Sequence, residues 1–275
     1  MRRLLVLSVA AGALGLLAAT GLAAGPSPGV LSGGGGLLAP GGKIRYVSLT
    51  SGSASVLSAV RTDNGLVVRS KWFTGPLGIP LVAFDGTTGG LTPDGRTLVL
   101  ASTLNAASQF LVLDAKTFKL RRQVDLNGQW AYDAISPDGR TLYLIQLLPA
   151  SDGVDYNVRA YDLAAGRLVP GAIVDKREPD EKMTGSPVAR TTGPGGRWVY
   201  TLYARPTSAP FIHALDSVNR AAVCIDLPYR GSDNALFDLR LTLSRDGKQL
   251  LVHPRGGRPV VVVDTTNFTA RSTSP

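Results

Sequence analysis

The sequence predicts an all-β protein: a β-propeller of about five four-stranded blades, forming a closed ring or an open or incomplete one, behind an N-terminal signal helix. Three observations carry that expectation. One turn phrase occurs five times, as A-P-G-G-K-I-R-Y-V from Ala39, T-P-D-G-R-T-L-V-L from Thr92, S-P-D-G-R-T-L-Y-L from Ser136, G-P-G-G-R-W-V-Y-T from Gly193 and S-R-D-G-K-Q-L-L-V from Ser244. The second letters, Pro40, Pro93, Pro137, Pro194 and Arg245, stand 53, 44, 57 and 51 residues apart, which is the period of a small unit of short strands. An aspartate follows each anchor by 19 to 25 residues, at Asp63, Asp114, Asp162, Asp216 and Asp264.

Each element of the repeat has a physical reason. Two positions past every anchor stands a glycine: Gly42, Gly95, Gly139, Gly196 and Gly247. A tight turn between antiparallel strands needs positive φ there, which glycine alone takes without strain. Just before it, Asp94, Asp138 and Asp246 can accept a turn N–H, while Gly41 and Gly195 replace the acid in the first and fourth copies. Triplets such as Leu98-Val99-Leu100, Leu142-Tyr143-Leu144 and Leu250-Leu251-Val252 follow. They are apolar on both faces, as a strand between two neighbouring sheets requires. The later aspartates read as turn formers that close one strand and open the next. One unit is therefore strand, turn, strand, loop, strand, Asp turn, strand.

This grammar resembles the bacterial S-P-D-G-R-x-L-Y-V propeller repeats of the WD-repeat-like and surface-layer (YVTN-type) families. Their longer phrase is similar to F-L-V-L-D-A-K-T from Phe110, and the resemblance spans about Leu37 to Arg271. It implies the architecture and no activity, because these families host many unrelated roles. Such propellers commonly have seven blades, whereas five phrases stand here.

The order of the chain follows. Arg2 and Arg3, the apolar Leu4 to Ala19 and the small residues Gly21 to Gly25 predict a signal peptide over 1–25, and hence a secreted or cell-envelope protein. Left uncleaved, Leu4 to Ala24 is 21 residues long and would anchor the chain to a membrane. Residues 26–36 read as a Gly-rich linker and 37–275 as the propeller domain. The inner strand of the first blade should come from this glycine-rich stretch, so a poorly ordered strand and a weak seam are expected there. Cys224 is the one cysteine, which excludes an internal disulfide and suits a core position.

The formal net charge is +9. For an exported chain this favours anionic envelope polymers or phospholipid over nucleic acid as a partner. Three positions past each anchor stand Lys43, Arg96, Arg140, Arg197 and Lys248, a candidate cationic face if the turns share one side of a ring. The plain alternative is that a basic residue is ordinary in this turn, with Asp94, Asp138 and Asp246 offsetting three of the five.

No catalytic residues are predicted. His213 and His253 fall in strands of different units without metal-ligand spacing, and both read as packed residues. Glu178 and Glu181 are the only glutamates, in a charged insertion read as a solvated loop. The strands before each turn should line a central channel and bring Asp85, Trp130, Tyr132, Asp133, Arg190, Asp238 and Arg240 towards it. Asp85, Asp133 and Asp238 offer oxygen ligands for calcium, the one cofactor considered, and Trp130 with Tyr132 could stack on a sugar. Equally, Asp–Arg pairs across adjacent strands would neutralise one another. Three readings follow: a non-catalytic protein-binding or scaffold module in the envelope, a lectin-like or anionic-polymer-binding propeller, and a metal-dependent lactonase-like hydrolase.

Overall fold

The computed structural model describes residues 27–103, 107–148, 155–180, 183–205 and 208–273. The expected signal segment and Glu181 lie outside them. Strand β1 (Val30–Leu31) pairs with β6 (Ile79–Pro80) in a small separate sheet. Blade one is β2 (Leu37–Leu38), β3 (Ile44–Ser51), β4 (Ala54–Arg61) and β5 (Val67–Thr74). Blade two is β7 (Thr97–Thr103), β8 (Ala107–Asp114) and β9 (Leu120–Asn127). Blade three is β10 (Trp130–Ile135), β11 (Thr141–Leu147), β12 (Asp155–Asp162) and β13 (Arg167–Leu168), with β14 (Met183–Thr184) also on β12. Blade four is β15 (Ser186–Thr192), β16 (Trp198–Ala204), β17 (Phe211–Asp216) and β18 (Ala221–Asp226). Blade five is β19 (Leu239–Leu243), β20 (Gln249–Pro254), β21 (Val261–Asp264) and β22 (Thr269–Ser272), preceded by the single-turn helix α1 (Asp233–Leu236). Every strand pairing is antiparallel and follows chain order within its blade, the meander of a propeller.

The turns explain the regularity. In blades two, three and five the hydroxyls of Thr92, Ser136 and Ser244 donate to Asp94, Asp138 and Asp246 at 2.6 Å. The same carboxylate oxygens accept the N–H groups of Arg96, Arg140 and Lys248 at 3.0, 3.0 and 3.1 Å. Each hydroxyl also accepts the N–H of the first residue of the next strand, Thr97, Thr141 or Gln249. The five phrase glycines all have φ between 69° and 76°. In four blades the later aspartate accepts two turn N–H groups or an N–H and a hydroxyl, as at Asp162 from Ala164 and Ala165. Asp63 of blade one pairs with Arg61 instead.

Successive sheets stack face to face. Leu57, Leu98, Leu113 and Phe118 join blades one and two, and Val112, Trp130, Leu142 and Leu144 join two and three. Tyr143, Val158, Val199 and Leu215 join three and four, while Leu202, Ile212, Leu250 and Val263 join four and five. Among the described residues no such cluster joins blade five to blade one, so the five blades form an open arc. The turns tell the same story. A Cβ on Gly95 would meet Pro40, one on Gly196 would meet Pro93 and Pro137, and one on Gly247 would meet Pro194. A Cβ on Gly42 would meet nothing within 4 Å.

Two blades depart from the four-stranded expectation. In blade one the regular inner strand is only Leu37–Leu38, and the glycines before it leave one irregular bond, Gly33 N–H to the Ser48 carbonyl. In blade two isolated bridges, Gly78 to Ala101 and Leu91 to Leu98, stand where an inner strand was expected. Residues 176–180 of the charged insertion are exposed, as in a solvated loop, and the aspartate that opens it is held. Asp175 is buried, bridges to Ala222 of β18, and accepts from the Cys224 N–H and the Arg177 guanidinium. It thereby docks the segment on the outer edge of blade four, an edge that would otherwise stand unpaired.

Turn contact and backbone strain are separable by substitution. Gly196→Ala should lower stability by about 3 kcal/mol or more, because its Cβ would fall 2.3 Å from Pro93 Cγ at a φ of 76°. Gly41→Ala, with φ of 80° and open space around it, should lose only about 1 kcal/mol, as read by urea denaturation.

Candidate functional site

The segment expected to form the inner strand of blade two crosses the centre of the arc instead. Residues 81–90 form a hairpin closed by the Leu81–Thr88 bridge, with positive φ at Gly86 and Gly90. Its tip reaches blade four, where Phe84 N–H donates to the Pro187 carbonyl and Asp85 N–H to the Val188 carbonyl. The strand there is bulged between Pro187 and Ala189, and β10 carries the matching bulge between Tyr132 and Ala134. Such bulges re-aim side chains. Here they bring Asp133 and Arg190 together under the hairpin.

Arg190 Nη1 donates to Asp133 Oδ1 and Arg190 Nη2 to the Asp133 carbonyl, both at 2.7 Å, with both residues buried. Asp133 Oδ2 makes no hydrogen bond. The pair lines a cavity of about 120 Å³ with Tyr132, Thr87, Thr88 and Thr192. Burial pushes the Tyr132 phenol above its ordinary range, so it stays protonated. The space holds about four waters, or one compact hydrogen-bond donor facing the carboxylate. A carboxylate already neutralised by a guanidinium is an acceptor here, not a nucleophile. The pair is the Asp–Arg neutralisation that the sequence offered as an alternative.

The other channel candidates stand elsewhere. Trp130 is a core residue: it packs between blades two and three, with its indole N–H on the Asn127 carbonyl, so it does not line a channel with Tyr132. Asp85 turns the hairpin by accepting from Thr87 N–H. Asp238 is exposed beyond α1, and Arg240 donates to the carbonyls of Leu239 and Phe237. The hairpin explains the dispersal, since it takes Asp85 out of any inner strand and fills the axis. Among the described residues no three His, Cys, Asp or Glu side chains share one point. His213 is buried against Tyr203 and its pKa is lowered by desolvation; His253 bonds Thr242 and the Pro254 carbonyl.

One turn cation, Arg197, is held by a carboxylate of its own blade. Arg197 donates to Asp216 at 2.7 and 3.0 Å, and Arg96 lies 3.7 Å from Asp94. Burial opposes ionisation of Asp216, but Arg197 and the N–H and amide groups of Val218 and Asn219 outweigh it and hold its pKa low. Arg140 lines a groove of about 710 Å³ with Arg220, Asp138 and Asp162, two charges of each sign. Lys43 and Lys248 occupy the corresponding turns of blades one and five, at the two ends of the arc.

The feature that sequence reasoning missed is the outer face of blade one. Strand pairing puts Leu38, Arg45, Val47, Leu49, Val56, Val60, Val67 and Trp72 on the side away from blade two. Leu38 is 48%, Leu49 54%, Val67 53% and Trp72 67% exposed. The signal was present in the sequence: β3 and β4 carry apolar residues on both faces.

No protein-family model and no curated protein matches the chain. Solved structures do. The β-propeller domain of Myceliophteria thermophila Cps50 (Swd1) is 12% identical over 90% of this chain and 71% of its own length, with a TM-score of 0.52. A dihydro-heme d1 dehydrogenase, NirN, is 17% identical over 90% of this chain and 48% of its own, with a TM-score of 0.51. Hydrazine synthase of Kuenenia stuttgartiensis is 18% identical over 82% of this chain, with a TM-score of 0.47, and this chain spans 63% of its length. The likeness to the Cps50 domain shows the propeller fold.

Two measurements test this description. Asp133→Ala should destabilise by about 3–5 kcal/mol by leaving Arg190 buried and unpaired, and the double change with Arg190→Met should recover most of that. Thr117, then Arg121, hold the Asp114 pKa at about 2, and Asp94 and Asp246 are lowered by the hydroxyls of Thr92 and Ser244. Depressed carboxylates stabilise fully above their unfolded value of about 3.9 and lose that contribution as pH falls through the folded value. Thermal stability should therefore drop between about pH 4 and pH 2, and Asp114→Asn should make that drop shallower.

Proposed function

We propose that this chain is an exported, non-catalytic propeller module of the cell envelope that binds another protein through the open face of blade one. The observation that carries the reading is that face: a two-sided apolar sheet with only one side covered. Contiguous exposed apolar surface of this extent marks an interaction site on a soluble protein. Export rests on Arg2, Arg3 and the apolar run after them. The S-P-D-G-R resemblance supports a propeller of the surface-layer type and adds no chemistry. The lactonase-like reading needs Asp85, Asp133 and Asp238 together, and they stand apart. The polymer-binding reading needs the turn cations as one face, and Arg197 of blade four is taken by Asp216.

A photo-crosslinking amino acid placed at Leu49 or Trp72 in the producing cell should give a protein adduct, with the same probe at Thr242 of blade five as the control. Adducts from neither position would overturn the reading. Fractionation of those cells should find the chain outside the cytoplasm, and a cytoplasmic chain would overturn export.

A further inference from the structure

We propose that the open face of blade one pairs with the same face of a second copy of this chain, giving a two-fold symmetric dimer. The proposal rests on reading that face as a protein-binding surface and names its occupant. Area is the first argument. The exposed parts of Leu38, Leu49, Val67 and Trp72 amount to on the order of 400 Å² of apolar surface. A standard interface takes about 800 Å² from each partner, of which about two thirds is apolar in homodimers. The face supplies most of that share on its own.

The second argument is how the polar groups on the face are satisfied. Ser58 and Ser70, in the middle of it, bond each other at 2.8 Å. Arg45 on this face donates to the Gly35 carbonyl, and Arg61 at the end of β4 pairs with Asp63. Glycines 33 to 36 run beside Val47 and Leu49 without side chains to cover them.

The third argument comes from the other end of the arc. The outer side of blade five carries Arg240, Thr242, His253 and Arg271 around Leu251 and Val262, because pairing turns Leu241, Val252, Val261 and Val263 towards blade four. Docking blade five on blade one of another copy would bury Arg240 and Arg271 against hydrocarbon. Like-with-like pairing at blade one avoids this and closes as a dimer, whereas head-to-tail contact would build a ring or a filament. The net charge of +9 on each copy is the opposing force, and salt screens it.

The test is sedimentation velocity of the full exported chain over a wide concentration series, at low and at high salt. The expected result is a monomer–dimer equilibrium that tightens with salt. Trp72→Glu or Leu49→Glu should weaken it by roughly ten-fold or more, while Val218→Glu leaves it unchanged and thermal melts confirm folding. Photo-crosslinking from Trp72 should give an adduct of twice the chain mass. A monomer at every concentration, or a dimer indifferent to both Glu variants, overturns the proposal. If the chain is monomeric and Trp72 crosslinks to a different protein, the second copy is overturned and the protein-binding reading stands. If no adduct forms, both fall.

Discussion

Face-to-face packing of sheets that are apolar on both sides is the constraint on which the rest of this structure depends. A blade of about forty residues buries too little on its own, and stability comes from the clusters shared by neighbours. The turns keep the stacking in register. Gly95, Gly196 and Gly247 let their turns approach prolines of earlier turns, and Gly139 approaches Thr97 and Thr92 of blade two. The Ser/Thr–Asp–N–H network rigidifies the turn that makes this contact, and it does so with groups internal to the turn. Repetition then needs no special residue between blades.

A linear stack has two ends, and this one treats them differently. Blade five ends in a mixed face, in which Arg240, Thr242, His253 and Arg271 surround Leu251 and Val262. Blade one ends in leucine, valine and tryptophan. Capping units of repeat proteins normally carry a polar outer face, as blade five does in part. Blade one is built like an internal blade, and its serine pair and tethered arginines leave its exposed side ready to be covered.

The centre of the arc is filled by the chain itself. The hairpin at 81–90 replaces an inner strand, spans to the bulge at Val188, and roofs the Asp133–Arg190 pair. Burying a carboxylate and a guanidinium together is tolerable because each meets the other twice, through a side-chain and a main-chain oxygen. The unpaired Oδ2 and the small cavity beside it are what remains of the expected channel.

Composition and spacing made the blades legible: a glycine at a position of obligatory positive φ, an acid beside it and a triplet after it are local requirements, and local requirements are written in contiguous residues. The same holds for the Asp turns in four blades and for the buried histidine at 213. The site was legible only in part. Asp133 and Arg190 were recognisable as inner-strand residues, but Trp130, Asp238 and Arg240 went elsewhere and Asp85 left its strand. Those placements depend on which segment crosses the axis, which is settled by bulges and glycines more than fifty residues apart in the chain. Whether the ring closes is likewise a property of curvature accumulated over five interfaces. Repeat chemistry belongs to each unit, and sequence carries it; closure, the crossing hairpin and the bare face belong to the sum of the units, and only their packing in space reveals them.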